Sequence, residues 1–483
     1  MTLTNILAFS AAALVIGLLR NKRWQVWLLL LASVFAVYWL QPASPIRHLD
    51  YWVPTATMGL VVLCWAVTLP PRTQKSPPGA ARNNPLDSWL AALVILLVVV
   101  GIGLTRYLGQ VCCIIPSVPP EMTQVGLVVA AILVGVVALV KVRPSTKVLP
   151  YLGILILLAV FLILKTGGLA QAAGAWLRSL AGQNPELAKV SDISWLGYSY
   201  IAFRLIHTLR DRQTGRLPLL SLRDYVTYAV FFPALTAGPI DRVERFSKDL
   251  SSAPRDRADV FINGGERITV GLFKKFVLAD SLALVALSPG NFSQVTSSLW
   301  LWILVYAYAF RIYFDFSGYT DIAIGLGRWV GINLPENFDR PYLKPNMTAF
   351  WNSWHITLAL WFRAYFFNPL VRALRSMEKP LPATLVILSG QFLTMILIGL
   401  WHGVTWNFMI WGAWHGLGLF LHNRWLDFFR SHLADWTPPA WLEKCLVYLG
   451  TFLTFNYVTL GWVWFALPEP AQSLAAFQKL FRF

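Results

Sequence analysis

Hydrophobic positions along this chain come in long blocks. Apolar stretches run over about residues 2–19, 24–40, 53–69, 88–105, 123–140 and 148–164. Each approaches the ~20 residues a helix needs to cross the hydrocarbon core of a bilayer. Residues 165–194 form a longer connection, with an in-plane helix expected around Ala172–Ala181, and 195–209 returns into the membrane. The next apolar piece, Tyr225 to Ile240, has only 16 residues, contains Pro233 and ends Ala237-Gly238-Pro239. A short, proline-broken segment between two charged loops predicts a re-entrant element, which is tolerated at membrane depth only where protein or a cavity surrounds it. Lys274 and Lys275 interrupt the segment that begins near Ile268, residues 297–316 form a stronger span, and Ala383 to Leu400 is unbroken. The pattern predicts an all-α polytopic membrane protein of about 11–13 hydrophobic helices, some of them re-entrant.

Between 297–316 and 383–400 the pattern changes character. Arg311 and Asp315 are expected to pair at i,i+4 on one helix face. Gly318 is expected to allow a turn, and Asp321 to cap a new helix at Ile322. Both acids are thus read as architectural. Pro335 to Met347 is a polar loop, and Phe350 to Arg363 mixes apolar and polar residues as a helix facing a cavity or the interface would.

Charge orients the spans. Arg20, Lys22 and Arg23 follow the first block, Arg72, Lys75 and Arg82 the third, and Lys141, Arg143 and Lys147 the fifth. The alternate loops carry only Arg47 and Arg106, which places the basic loops in the cytoplasm and the N-terminus outside. No basic residue precedes the first block, which reads as an uncleaved anchor. Arg210, Arg212, Arg216 and Arg223 extend the rule, after which a dense run from Asp241 to Arg257 obscures it.

Composition agrees. The chain is 57% hydrophobic and 13% charged, with mean hydropathy +0.56, whereas soluble domains are about 25% charged. Its 23 tryptophans suit membrane interfaces. Basic cytoplasmic loops account for the net charge of +17, and no soluble basic face points to nucleic acid. Cys112 and Cys113 are adjacent, and no CxxC pair or disulfide framework is expected.

Three of the seven histidines, His355, His402 and His415, follow a Trp in or beside apolar sequence. An ionisable group at membrane depth is read as functional. His402 ends the long apolar run and is followed by Gly403, Thr405 and Asn407. Desolvation keeps such an imidazole neutral, the form in which it accepts a proton. His355 is placed to orient a substrate or a second histidine, and Arg363 to bind a phosphate or carboxylate. Asn407, Arg363, Trp351 and Trp401 are taken as substrate-binding residues. His415 is read as packing, and His48, His422 and His432 as ordinary loop residues. No metal site is expected, since no carboxylate or Cys stands at ligand spacing from the three histidines. GxSxG, HExxH and Walker patterns are absent. His422 and Asp427 fit an HxxxxD spacing that we attribute to chance.

Several stretches together resemble the membrane-bound O-acyltransferases, in particular the branch of the alginate O-acetylation membrane subunit. They are Phe232-Pro-Ala-Leu-Thr-Ala-Gly238-Pro239-Ile, Tyr313 to Gly325, Pro335-Glu-Asn-Phe, Phe350-Trp-Asn-Ser-Trp-His355 and Trp401-His402-Gly403. The resemblance covers about residues 190–465. It divides the chain into N-terminal helices (1–190), a catalytic core (191–465) and a C-terminal tail (466–483). It implies a helical fold around a funnel or tunnel, with His402 as catalytic histidine and His355 as the second. It further implies acyl transfer from a cytoplasmic thioester, acetyl-CoA in the first instance, with no bound cofactor. The acceptor would be a hydroxyl of an exported polysaccharide or a periplasmic relay protein, and the location a bacterial inner membrane. Ala364 stands where the family has Asp, and Val371-Arg372 where Gly-Gly is common. The alternatives are D-alanyl transfer from a carrier protein to teichoic acid, and a transporter or flippase with proton-relay histidines. Against the transporter, the 350–416 pattern has no repeat in the first half.

Overall fold

A computed structural model describes residues 2–19, 21–70, 85–109, 114–142, 148–252, 257–379, 381–432 and 438–481. The expectations placed on Arg20, Arg72, Lys75, Arg82, Cys112, Cys113, Arg143, Lys147, Arg255 and Asp256 lie outside these residues. The structure is 78% helical and holds no strand among the described residues, which makes the fold all-α. Among the described residues, seven helices are long and apolar enough to cross a membrane. The chain forms two compact units, Met1–Arg267 with Ala323–Leu334, and Ile268–Ile322 with Pro335–Phe483.

The first unit opens with α1 (Leu3–Leu18), α2 (Lys22–Trp39), α3 (Leu49–Thr68), α4 (Pro85–Leu104), α5 (Met122–Val142) and α6 (Val148–Lys165). Their most apolar windows are unequally covered: 61% of that of α3 is buried, but only 11% of those of α5 and α6. The latter two therefore leave most of their apolar surface uncovered by protein. Buried hydroxyls are satisfied across helices, as where Tyr51 donates to the Val99 carbonyl at 2.9 Å. A helix forms in the 165–194 connection as α7 (Gly167–Leu180), anchored by a buried Arg178–Asp192 ion pair of 2.7 Å. Then come α8 (Tyr198–Gln213) and α9 (Leu222–Ala229).

The expected re-entrant piece is α9 followed by a single 3-10 turn, Phe232–Ala234, almost wholly buried. Arg204, 2% exposed, donates to the Ala229 carbonyl at 3.0 Å and the Ala234 carbonyl at 2.7 Å. The guanidinium thus satisfies the last carbonyls of α9 and of the 3-10 turn, the first of which faces Pro233, a residue with no N–H to offer. α10 (Val243–Ser251) and α11 (Arg257–Leu272) follow.

In the second unit a π-turn (Phe273–Ala279) leads into α12 (Asp280–Ala283), α13 (Pro289–Phe292) and α14 (Ser298–Trp329). Here the sequence expectation needs correction. α14 is one continuous helix of 32 residues, so Gly318 makes no turn and Asp321 caps nothing. Instead Gly318 meets Gly271: a Cβ added at either would lie within 2.8 Å of the other's carbonyl oxygen. That close crossing lets Lys274 reach Asp321 at 2.7 Å and Lys275 pair with Asp315. Asp315 is therefore paired with Lys275, not with Arg311.

The unit continues through α15 (Met347–Trp351), α16 (Ile356–Phe362), α17 (Asn368–Arg375), α18 (Ala383–His402), α19 (Trp406–His432), α20 (Ala440–Ala466) and α21 (Pro470–Phe481). The last helix lies in the expected tail and buries Ala476 and Leu480 against Leu301, Val305 and Val463. α18 and α19 form a hairpin with a seam of glycines. A Cβ at Gly399 would lie 2.0 Å from the Phe408 carbonyl oxygen, and one at Gly412 2.4 Å from that of Met395. Small residues are how helices approach closely where lipid removes the hydrophobic incentive to associate.

Candidate active site

The α18–α19 hairpin sets His402 at a helix end. Gly403 leaves the helix with extended backbone (φ −179°), and three residues later α19 begins. The Thr405 hydroxyl accepts from the Phe408 N–H at 3.4 Å and caps the new helix. His402 is half-buried among aromatic rings, with centroids at 4.7 Å (Trp401), 4.8 Å (Phe465) and 5.5 Å (Trp411). These rings cover part of the imidazole without supplying a charge.

His355 is placed by a different device. It adopts left-handed backbone (φ 43°, ψ 52°), a region a non-glycine residue enters at some cost in strain. Asn337 fixes it there. Its carbonyl accepts from the Ile356 N–H at 3.0 Å, and its Oδ1 accepts from the Thr357 hydroxyl at 2.6 Å and the Thr357 N–H at 3.2 Å. A bridge between Phe338 and Trp354 and a bond from the Asp339 N–H to the Ser353 carbonyl extend the clamp. His355 is 3% exposed, packs edge-on against Phe316 at 4.7 Å, and neither ring nitrogen has a hydrogen-bond partner among the described residues. Its centroid lies 6.2 Å from Trp401, and the imidazole is near enough to His402 to interact with it electrostatically. Trp401 is thus the ring that both histidines touch.

The other sequence candidates separate. Arg363 opens a π-turn and donates to the Asn352 side-chain oxygen at 2.8 Å. It lines a cavity of about 210 Å³ together with Trp351. Trp351 also contacts His415 at 5.3 Å. Asn407 lies elsewhere: its amide donates to the Leu467 carbonyl at 2.6 Å and the Ser473 hydroxyl at 3.1 Å. Both amide protons therefore tie α19 to α20 and α21, while its Oδ1 is buried with no hydrogen-bond partner among the described residues.

His415 is fully buried, 4.8 Å from Trp411, with its Nε2 close against Gly461, where a Cβ would stand 2.9 Å away. His422 bonds to Thr348 and Asp427 pairs with Arg424, so the HxxxxD spacing brings nothing together.

Sequence reasoning passed over Asn337, visible only as part of a motif, and Trp411, which the i,i+4 spacing to His415 could have flagged. It also passed over His207. That imidazole lies 3.2 Å from Asp211, accepts from the Val243 N–H at 3.3 Å, and stands 3.9 Å from Glu244. The three side chains are close enough to hold a metal ion. With its two nitrogens engaged by Asp211 and Val243, the ring serves instead to latch α8 to the start of α10.

Comparison with known proteins places the chain in a family. Residues 152–464 match the membrane-bound O-acyltransferase family. A teichoic acid D-alanyltransferase of Streptococcus thermophilus is 32% identical over 57% of this chain and 68% of its own length. A probable alginate O-acetylase AlgI of Azotobacter vinelandii is 36% identical over 56% of this chain and 50% of its own. A peptidoglycan O-acetyltransferase of Helicobacter pylori is 36% identical over 53% of this chain and 46% of its own. The chain spans about half the length of the latter two. With seven membrane-length helices among the described residues and a family match over more than half its length, the chain is an integral membrane protein and belongs to the membrane-bound O-acyltransferase family of acyltransferases.

Proposed function

We propose that the protein moves an acetyl group from a cytoplasmic thioester, acetyl-CoA in the first instance, to a hydroxyl of an exported polysaccharide or of a periplasmic relay protein. The observation that carries this reading is the His402–Trp401–His355 arrangement. It sets two buried or half-buried imidazoles around one indole, at a helix end, in a chain of this family. The relatives named for alginate and peptidoglycan O-acetylation support a polymer acceptor.

In this mechanism the acceptor hydroxyl oxygen attacks the thioester carbonyl while His402 takes its proton. The tetrahedral intermediate collapses, the carbon–sulfur bond breaks, and His402 returns the proton to the leaving thiolate. A general base of this kind contributes ~100- to 10,000-fold in rate. The one N–H of a neutral His355, with no partner among the described residues, can donate to the developing oxyanion, which requires a fixed donor in a dry site. Trp401 packs on both imidazoles and holds their spacing. Arg363 and Trp351 contact substrate through the cavity they share, and Asn407 supports the hairpin from behind. We place the protein in a bacterial inner membrane with its N-terminus outside, as the basic loops imply.

D-alanyl transfer is the second reading, favoured by a D-alanyltransferase relative matched over 68% of its length. Both are tested in inverted vesicles offered labelled acetyl-CoA, an acetylated carrier protein or a D-alanylated one, with and without an ionophore. Transfer from an acetyl thioester that survives collapse of the proton gradient is expected. Transfer from the D-alanyl carrier alone would favour the second reading. Gradient-dependent movement without transfer from any thioester would contradict both and favour a transporter.

A further inference from the structure

α14 has different tasks on its two sides. Around the helix, Asp315 and Asp321 stand about 60° to either side of Gly318, while Tyr313 and Phe316 lie about 140–160° away from it. The Gly318 side meets the π-turn. A Cβ there would lie 2.8 Å from the Gly271 carbonyl oxygen and 2.9 Å from the Lys275 backbone nitrogen, so backbone touches backbone. Consecutive side chains diverge by about 100°, and Lys274 and Lys275 reach acids on opposite sides of this contact. Lys274 pairs with the buried Asp321 at 2.7 Å, and Lys275 with the exposed Asp315.

The opposite side bears on the His355 turn. Tyr313 packs against Phe338 at 5.8 Å and Trp354 at 6.2 Å. Phe316 packs against Phe338 at 5.2 Å and edge-on against His355 at 4.7 Å. Phe338 and Trp354 form the bridge that closes this turn. One continuous helix therefore connects the two ion pairs to the imidazole.

Stability alone does not explain the buried pair. Taking charges out of water costs about as much as pairing them returns, and apolar side chains of similar volume would hold the two elements at least as well. What apolar contact on a glycine seam lacks is a fixed register. The seam has no side chains to interlock, so it leaves the sliding and rotation of α14 poorly specified. Ion pairs on both sides of the seam specify them, and register is the best-attested use of such pairs.

We propose that Lys274–Asp321 and Lys275–Asp315 are positioning pairs for acyl transfer: they set the rotation of α14 and so hold Phe316 against His355. Phe316 in turn fixes the plane of an imidazole whose nitrogens have no hydrogen-bond partner among the described residues. The link to catalysis rests on the role proposed for His355; the placement of its ring does not.

Two readouts on one preparation in nanodiscs test this. One is NMR of the ring signals in 15N-histidine-labelled protein, and the other is single-turnover transfer from radiolabelled acetyl-CoA to acceptor fractions. The chain has seven histidines, and the His355 signal is the one lost in H355Q. K274M/D321V replaces the buried pair with apolar groups, and its melting temperature is expected to stay at or above that of wild type. Its His355 signal should shift, as in F316L, and its transfer should slow by up to about 100-fold, the loss that a misplacement of ~1 Å brings. Adding F316L should slow it little further, because both changes remove one contact. K274R, which keeps the pair, should retain the wild-type signal and a rate within a few-fold. If the double variant does not fold, K275M carries the test, since the acid it strands is exposed. A folded pair variant that keeps the wild-type His355 signal overturns the proposal whatever its rate, as does a loss that multiplies fully with that of F316L. An unshifted signal in a protein that transfers would sink this inference alone. A shifted signal with no transfer from any thioester by wild type would sink the catalytic reading alone.

Discussion

The side-chain oxygen of Asn337 accepts a hydrogen bond from the Thr357 hydroxyl at 2.6 Å, two residues after His355. Asn337 is fully buried, so removing its carboxamide strands the Thr357 N–H bonded to the same oxygen. Asn337→Ala is expected to lower stability by about 1–3 kcal/mol. It should also slow transfer in the protein that remains folded, because the left-handed turn at His355 loses its clamp. Thermal melting and single-turnover rates measured on one preparation check both parts; a variant as stable and as fast as wild type would refute the clamp.

Two glycines of the α18–α19 hairpin should respond differently. A Cβ at Gly399 meets the Phe408 backbone oxygen at 2.0 Å, whereas one at Gly403 meets only the Phe408 ring, at 2.8 Å. Backbone cannot yield and a ring can. Gly399→Ala is expected to destabilise by about 1–3 kcal/mol or more, the range for overpacking. Gly403→Ala, at φ −179°, should fold nearly normally. Yield of monodisperse protein after detergent extraction reads the difference.

Asn407 separates support from catalysis. Its amide spans α19, Leu467 and Ser473, so Asn407→Ala should lower the melting temperature, with turnover per folded molecule within a few-fold of wild type. A loss of 100-fold or more at unchanged stability would mean that the amide faces the reaction.

Asp241 provides the pH dependence. Burial raises its carboxyl to about 6 from an ordinary value near 3.8, outweighing Arg245 and the Arg242 N–H, which favour the charged form. A raised folded value means stability fully present below the ordinary value and lost as pH climbs through about 6. Wild-type protein should therefore lose stability relative to Asp241→Asn between about pH 4 and pH 7, by up to about 3 kcal/mol. Parallel melting curves across that range would contradict the assignment.

Much of the fold was legible because lipid leaves a simple record. A block such as 148–164 has one use, and the structure forms α6 there. His402 was equally visible, since an imidazole at the end of an apolar run is costly to keep there unless it has a task. What could not be read depends on partners far away in the chain. Gly318 looked like a turn because its neighbour Gly271 lies 47 residues earlier, as does Lys274 from Asp321. Nor does the sequence give any sign that Ser473 would claim the amide nitrogen of Asn407. The bond from Arg363 to Asn352, 11 residues earlier, likewise appears only in three dimensions.

The central claim is that His402 takes the proton from the acceptor. The most direct measurement is label transfer from radiolabelled acetyl-CoA in membranes containing wild type or His402→Ala, with candidate polysaccharide and partner fractions supplied. Folding and membrane insertion of the variant are verified by detergent extraction and melting. The expected result is transfer by wild type that vanishes in a well-folded variant. Equal transfer by both would remove His402 as the base.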